Sequence, residues 1–169
     1  MFSLLPKVLF EKLTDLPPEF LQERNIRLLM LDFDNTMLPY TTNQPTQELL
    51  SWLRRMQSSG ISVCIVSNSK RPRVRRFGEE YGVDVITHAQ KPFQRGIREC
   101  LQRYGVGREE AALCGDQIYT DVLGANCAGV YAIHVQSISN HNFWLKLRHV
   151  AELPFIFMAK GRKYHYEKS

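Results

Sequence analysis

Short apolar runs that end in polar residues, separated by stretches of helical spacing, are the feature that most constrains how this chain can fold. The runs lie at 28–32, at 61–66 ("ISVCIV"), at 83–86 ("VDVI"), at 111–114 ("AALC") and at 130–135 ("VYAIHV"), and their length and β-branched content read as strands. Between the first two, "PTQELLSWLRRMQSSG" offers Thr46 as an N-cap, Leu49, Leu50, Leu53 and Met56 at helical spacing, and Gly60 as a stop. Further helices are expected from about Pro72, from Pro92 with Phe93, Ile97 and Leu101 on one face, and over roughly 119–127. Strand and helix in alternation with short connections imply right-handed crossovers, so the expected class is α/β: a doubly wound, Rossmann-like parallel sheet with helices on both faces. At 169 residues the chain is long enough to bury one core without disulfides or structural metal.

Ligands of such sheets bind at the carboxyl ends of the strands. Asp32, Asp34, Asn35 and Thr36 follow the first strand, Ser67 and Asn68 the second, Lys91 the third with its loop, and Gly115, Asp116, Thr120 and Asp121 the fourth. Carboxylates converging in one cleft repel one another unless a cation lies between them. An oxygen-rich set of this kind suits a hard ion such as Mg²⁺, and the lysine and hydroxyl suit an anionic substrate, which makes phosphoryl transfer the natural chemistry. Each fragment alone also reads as a turn, cap or helix start. Their joint occurrence at successive strand ends removes those readings.

In that order, "LLMLDFDNT", "CIVSNS", "KP" at 91–92 and "LCGDQIYTD" resemble the four motifs of the haloacid dehalogenase (HAD) superfamily of phosphatases. The resemblance implies that Asp32 is the nucleophile and a metal ligand, and that Asp34 is the general acid/base and a further ligand through its backbone carbonyl. It implies Asp116 as the third protein ligand, with Asp121 supporting the metal shell or Lys91. Ser67 and the backbone amide of Asn68 would bind phosphoryl oxygens, Lys91 would offset charge on phosphate and nucleophile, and Thr36 would brace the turn. From "LPKVLFEKLTDLPPEFLQERNIRLLMLDFDNTMLP" and "GDQIYTDVLGAN" the chain also resembles the narrower YqeG-like class IIIA group, which is similar to phosphatidylglycerophosphate phosphatases.

Asp34 and Ser67 lie 33 residues apart and Ser67 and Lys91 lie 24 apart, too little in either interval for a cap domain. An open site favours substrates that bring their own bulk: a phosphoprotein, a nucleic-acid end or a lipid headgroup. The expected organisation is an amphipathic helical segment over 1–24, a phosphatase core over 25–140 and a basic, aromatic segment over 141–169. In the first, Phe2, Leu5, Val8, Leu9 and Leu13 form one apolar helical face, available either to a membrane or to the sheet. The last carries Lys146, Arg148, Lys160, Arg162, Lys163 and Lys168 against Glu152 and Glu167, and Trp144, Phe155 and Phe157 could sit at headgroup level.

No apolar run approaches the ~18 residues that cross a bilayer, and the N-terminal run is interrupted by Pro6, Lys7, Glu11 and Lys12. The expected location is therefore cytoplasmic, peripheral to an anionic membrane. Cys64, Cys100, Cys114 and Cys127 are scattered with apolar neighbours and read as reduced core residues. The expected reaction is Mg²⁺-dependent hydrolysis of a phosphomonoester, here phosphatidylglycerophosphate. Two alternatives stand beside it: a phosphatase for small soluble phosphates or a phosphoprotein, and an RNA- or ribosome-associated module gripping phosphates with "KRPRVRR" at 70–76.

Overall fold

The computed structural model describes residues 3–139 and 154–159. Six parallel strands form one sheet: β1 (Val8–Phe10), β2 (Leu28–Leu31), β3 (Ser62–Val66), β4 (Asp84–Ile86), β5 (Ala111–Gly115) and β6 (Tyr131–Val135), in the spatial order β1-β6-β5-β2-β3-β4. The helices are α1 (Pro18–Gln22), α2 (Gln47–Ser58), α3 (Pro72–Tyr81), α4 (Arg95–Tyr104) and α5 (Leu123–Ala128), the last preceded by a π-helical turn over Ile118–Val122.

Alternation along each strand divides the core in two. Leu29, Leu31, Val63, Ile65, Ala112, Cys114, Ile133 and Val135 face α2 and α3, while Leu28, Met30, Cys64, Val66, Leu113 and Ala132 face α4 and α5. β2, at the centre of a sheet covered on both faces, is accordingly apolar and buried at all four positions. Each fully buried leucine or isoleucine contributes roughly 1.5–3 kcal/mol.

α2 follows the expected pattern. The Thr46 hydroxyl accepts from the Leu49 amide at 3.2 Å, and Leu49, Trp52, Leu53 and Met56 are buried. The Trp52 indole gives its polar edge to the Leu16 carbonyl at 2.7 Å, so its burial leaves no unpaired donor. α3 and α4 end at Gly82 and Gly105 with φ of 67° and 62°, a left-handed cap that favours glycine.

Three expectations need correction. Within the segment expected as an amphipathic helix over 1–24, residues 3–24 do not form one: Val8–Phe10 is a buried edge strand paired with β6 through Val8↔Ile133 and Phe10↔Val135, so its apolar side chains are spent on the sheet. Phe93 precedes α4 rather than lying on its buried face, and is 75% exposed. Phe155, in a short helix over 154–158, is half-buried, stacks edge-on against Tyr119 at 6.1 Å and packs on the α4/α5 side of the core. Phe157 is exposed, whereas Trp144 and all six basic residues of the C-terminal segment lie outside the described residues. The four cysteines are free, three of them buried. No helix among the described residues is long and apolar enough to cross a membrane.

Candidate active site

From β2 the chain proceeds to β3 and β4 on one side, then returns to β5 and β6 on the other, so β2 marks the reversal of strand order. Loops leaving the carboxyl ends of such neighbouring strands diverge and open a crevice. Leu31 is level with Cys114 on β5 and with Ile65 on β3, and the Asp32 amide continues the ladder to the Cys114 carbonyl at 2.9 Å. Asp32, Ser67 and Asp116 therefore leave adjacent strands at nearly one height.

Beyond Asp32 the chain closes on itself. The amides of Met37 and Leu38 donate to the Phe33 carbonyl, Asn35 turns with φ 64° and its amide reaches the Leu38 carbonyl at 2.7 Å. Phe33 is driven into the core against Phe77, with ring centroids 5.3 Å apart. Thr36 reaches across to the β5 loop: its hydroxyl donates to Asp116 Oδ1 at 3.0 Å and accepts from the Asp116 amide at 3.0 Å. Sequence reasoning expected Thr36 to brace its own turn; its hydrogen bonds tie the first loop to the fourth.

Lys91 is the centre of charge. Its Nζ lies 2.7 Å from Asp32 Oδ1 and 2.7 Å from Asp121 Oδ1, with no exposure of its side chain. The Asn68 side chain holds its backbone, accepting from the Lys91 amide at 2.7 Å and donating to the Lys91 carbonyl at 2.8 Å. Asp121 stands in the π-helical turn, where its Oδ2 also accepts from the Gln117 amide at 3.1 Å. Gly115 makes room for it, because a methyl group there would overlap the Asp121 carboxylate.

The electrostatics follow from this packing. Burial alone would lower the Lys91 pKa, but Asp121 and Asp32 outweigh it and hold the ammonium charged well above its usual range. Asp32 is pushed up to about 6, first by burial and then by the charges of Asp121 and Asp34, with Lys91 opposing. Asp116 rises to about 8 through burial and repulsion from Asp32 and Asp121, against hydrogen bonds from Ser137 and Thr36. One lysine thus faces three buried carboxylates whose ligand oxygens lie within 4.8 Å of one another. Asp32, Asp116 and Asp121 together form an acidic group that could hold a metal ion, and the all-oxygen donor set matches a hard ion.

The other expected residues lie around this cluster. Ser67 is buried and its hydroxyl accepts from the Ser69 amide at 3.1 Å. The Asp34 carboxylate stands apart from the cluster, 3.6 Å from Arg73 Nη1. Arg73 was missed by sequence reasoning, lost inside a basic run that reads as a solvated helix face. It precedes Phe77 by four residues and Tyr81 by eight, the apolar side of α3, and that periodicity is the signal that points it inward. Ser137 and Ser139, which lean over the site from beyond β6 toward Asp116 and Asn35, carry no sequence signal at all.

Comparison with known proteins agrees with this geometry. The model of a family described as mitochondrial PGP phosphatase matches residues 2–138. The "Probable phosphatase YqeG" of Bacillus subtilis (strain 168) is 33% identical over 136 residues, which cover 80% of this chain and 79% of that protein. Among solved structures, the cobalt-bound deoxy-D-mannose-octulosonate 8-phosphate phosphatase of Haemophilus influenzae superposes with a TM-score of 0.53 at 15% identity, over 80% of this chain and 92% of that one. The 3-deoxy-D-manno-octulosonate 8-phosphate phosphatase of Yersinia pestis gives 0.53 at 20% identity, over 84% and 86%. These two likenesses speak to the fold; the family match and the Bacillus relative speak to descent, and on them the chain belongs to the mitochondrial PGP phosphatase family, a HAD-type phosphoric monoester hydrolase.

Proposed function

We propose that this phosphatase hydrolyses phosphatidylglycerophosphate to phosphatidylglycerol through an aspartyl-phosphate on Asp32. The observation that carries the chemistry is the shared lysine: Lys91 Nζ, 2.7 Å from both Asp32 and Asp121, holds one nucleophile oxygen in place at the mouth of the switch-point crevice. With Oδ1 committed to Lys91, Oδ2 of Asp32 is the oxygen left to face phosphorus. Its attack forms the new O–P bond while the P–O bond to the glycerol oxygen breaks, and Asp34 donates a proton to that leaving oxygen. Water then attacks the phosphorus of the aspartyl-phosphate, Asp34 takes its proton, and the Asp32 carboxylate departs unchanged.

The surrounding residues fit supporting roles. Because the Ser67 hydroxyl accepts from the Ser69 amide, its own proton is available for a phosphoryl oxygen, and the backbone amide of Asn68 is a second donor. Asp32, Asp116 and the Asp34 carbonyl would hold a divalent cation, for which Mg²⁺ is the ion best suited to hard oxygen donors beside a phosphate. When bound, it would supply positive charge to the phosphoryl oxygens and offset the burial and the Asp32 and Asp121 repulsion that raise Asp116 to about 8. The choice of lipid rests on the family match over residues 2–138 and on the shortness of the intervals between motifs. Only a loop, α2 and the core strand β3 stand between Asp34 and Ser67, and only α3 and β4 between Ser67 and Lys91, which leaves a bulky headgroup room to enter.

The test is phosphate release with Mg²⁺ from phosphatidylglycerophosphate in mixed micelles and from a soluble phosphomonoester, for the natural chain and Asp32→Asn. The expected result is lipid turnover that falls by at least ~10³-fold in the variant, with little release from the soluble ester. Asp32-dependent release from the soluble ester alone would discard the lipid in favour of a small-phosphate substrate. No Asp32-dependent release from either would overturn both.

A further inference from the structure

The residue that stands out beyond the motif positions is Arg73. Its side chain is only 11% exposed although it carries a full charge in a surface helix. Nη2 donates to the Pro39 carbonyl at 2.9 Å and to the Thr42 carbonyl at 2.7 Å; Nη1 donates to the Tyr40 carbonyl at 3.2 Å. The same Nη1 lies 3.6 Å from Asp34 Oδ1, and the guanidinium carbon sits 5.2 Å from the centroid of the Phe33 ring. One planar group thus joins α3, the loop that follows Asp34, the aromatic ring between the two motif aspartates, and the second of those aspartates.

The acceptors decide what the group is for. A buried guanidinium is retained against its desolvation only if its donors are met. Here three of the partners are backbone carbonyls of one exposed-edge loop and only one is a carboxylate, held beyond hydrogen-bond length. Asp34 Oδ1 and Arg73 Nε are both buried without a hydrogen-bond partner among the described residues. The arrangement is a clamp on the loop that leaves the Asp34 carboxylate oriented but not spent.

We infer that Arg73 is a positioning residue of this phosphatase: it fastens the segment Pro39–Thr42 to α3 and, through it, holds the Asp34 carboxylate at the leaving-group side of the site. The inference rests on the reading of Asp34 as the acid/base given above. Displacing a proton donor by about 1 Å costs on the order of 10²-fold in rate, so loosening the clamp acts mainly on kcat.

The test uses Arg73→Met, Arg73→Lys and, as a charge control on the same helix, Arg76→Met, with the full chain, Mg²⁺ and a soluble aryl phosphate as well as the micellar lipid. Two readouts are taken: kcat and KM, and the rate of chymotryptic cleavage after Tyr40. The expected result for Arg73→Met is a kcat lower by ~10–100-fold with KM within ~3-fold, together with faster cleavage after Tyr40. Arg73→Lys keeps the charge but not the planar three-carbonyl grip, so it should stay close to Arg73→Met in both readouts; Arg76→Met should match the natural chain in both. Equal kcat and equal cleavage in Arg73→Met, or a loss reproduced by Arg76→Met, would overturn the clamp. Should no substrate show Asp32-dependent release, the proposed chemistry fails, and the cleavage rate after Tyr40 still decides whether Arg73 fastens the loop.

Discussion

Lys91 and Arg73 are both cations drawn inside the same crevice, and they are held in opposite ways. Lys91 meets two carboxylates at 2.7 Å and is fully buried. Arg73 meets three carbonyls at 2.7 to 3.2 Å and stands back from its carboxylate at 3.6 Å. The first pairing neutralises charge and, in doing so, fixes the acid proposed as the nucleophile. The second grips a loop by its backbone and leaves the Asp34 carboxylate, the proposed acid/base, outside hydrogen-bond length. What differs is the partner: charge against charge sets protonation states, charge against backbone dipoles sets position.

The sharpest way to break this comparison is to remove the lysine. In Lys91→Met, Asp32 and Asp121 keep their burial and lose their counterion, and stripping one partner from a buried pair costs about 3–5 kcal/mol. Urea denaturation should show that loss, and Mg²⁺-supported phosphate release should disappear. Adding Asp121→Asn to Lys91→Met should return part of the stability, because one stranded charge goes with it, while activity stays lost. A single variant as stable as the natural chain would mean that water or an alternative donor already satisfies the two carboxylates.

A second test asks whether the lysine leaves charge unbalanced on the Asp116 side, as the geometry requires. With metal removed, Asp32 in the fold titrates near 6 and Asp116 near 8, against about 4 for an aspartate in the unfolded chain. Over that window the folded state binds the extra protons, so stability is fully present below about pH 4 and falls as pH rises through the folded values. Each group contributes a slope of up to about 1.4 kcal/mol per pH unit. Both act up to about pH 6 and Asp116 alone from there to about pH 8, so the decline should become shallower in the upper half. Denaturation midpoints in chelator between pH 4 and 9 measure this. Asp116→Asn should flatten the upper half, and stability that rises with pH in chelator would contradict the assignment.

How much of this was legible in the sequence depends on whether the signal is local. β2 through β6 announce themselves through short apolar runs, and the polar residue that ends each run stands at the crevice because parallel strands all release their chains at one edge. That single rule gathers Asp32, Lys91, Asp116 and Asp121 without any knowledge of distance. β1 escaped it: Val8 and Leu9 share helical spacing with Leu5 and Leu13, and the parallel partner that makes Val8–Phe10 a strand is β6, far along the chain. The same local ambiguity hid Arg73, whose charged neighbours suggested solvent while its place on the Phe77 side of α3 sent it inward. Phe93 erred the other way, apolar and near helical register with Ile97 yet outside the helix start. Thr36 reads as a turn residue until its partner on β5 is known.

The smallest expected effect comes from the neighbour that most resembles Arg73. Arg71 also approaches the Pro39–Thr42 segment, with its guanidinium carbon 5.4 Å from the centroid of the Tyr40 ring, but it is exposed and meets the side chain rather than the carbonyl. A cation over an aromatic ring at an exposed site is worth roughly 0.5–1 kcal/mol, and releasing the Tyr40 ring leaves the Pro39, Tyr40 and Thr42 carbonyls in Arg73's grip. Arg71→Met should therefore lower stability by no more than about 1 kcal/mol, keep kcat on a soluble ester within about two-fold, and leave cleavage after Tyr40 close to the natural rate. Thermal denaturation and the same kinetic assay suffice to measure it. If Arg71→Met instead slowed turnover as far as Arg73→Met does, surface charge near the loop would be the operative quantity. Burial among carbonyls would then no longer explain why these two arginines, two residues apart, differ.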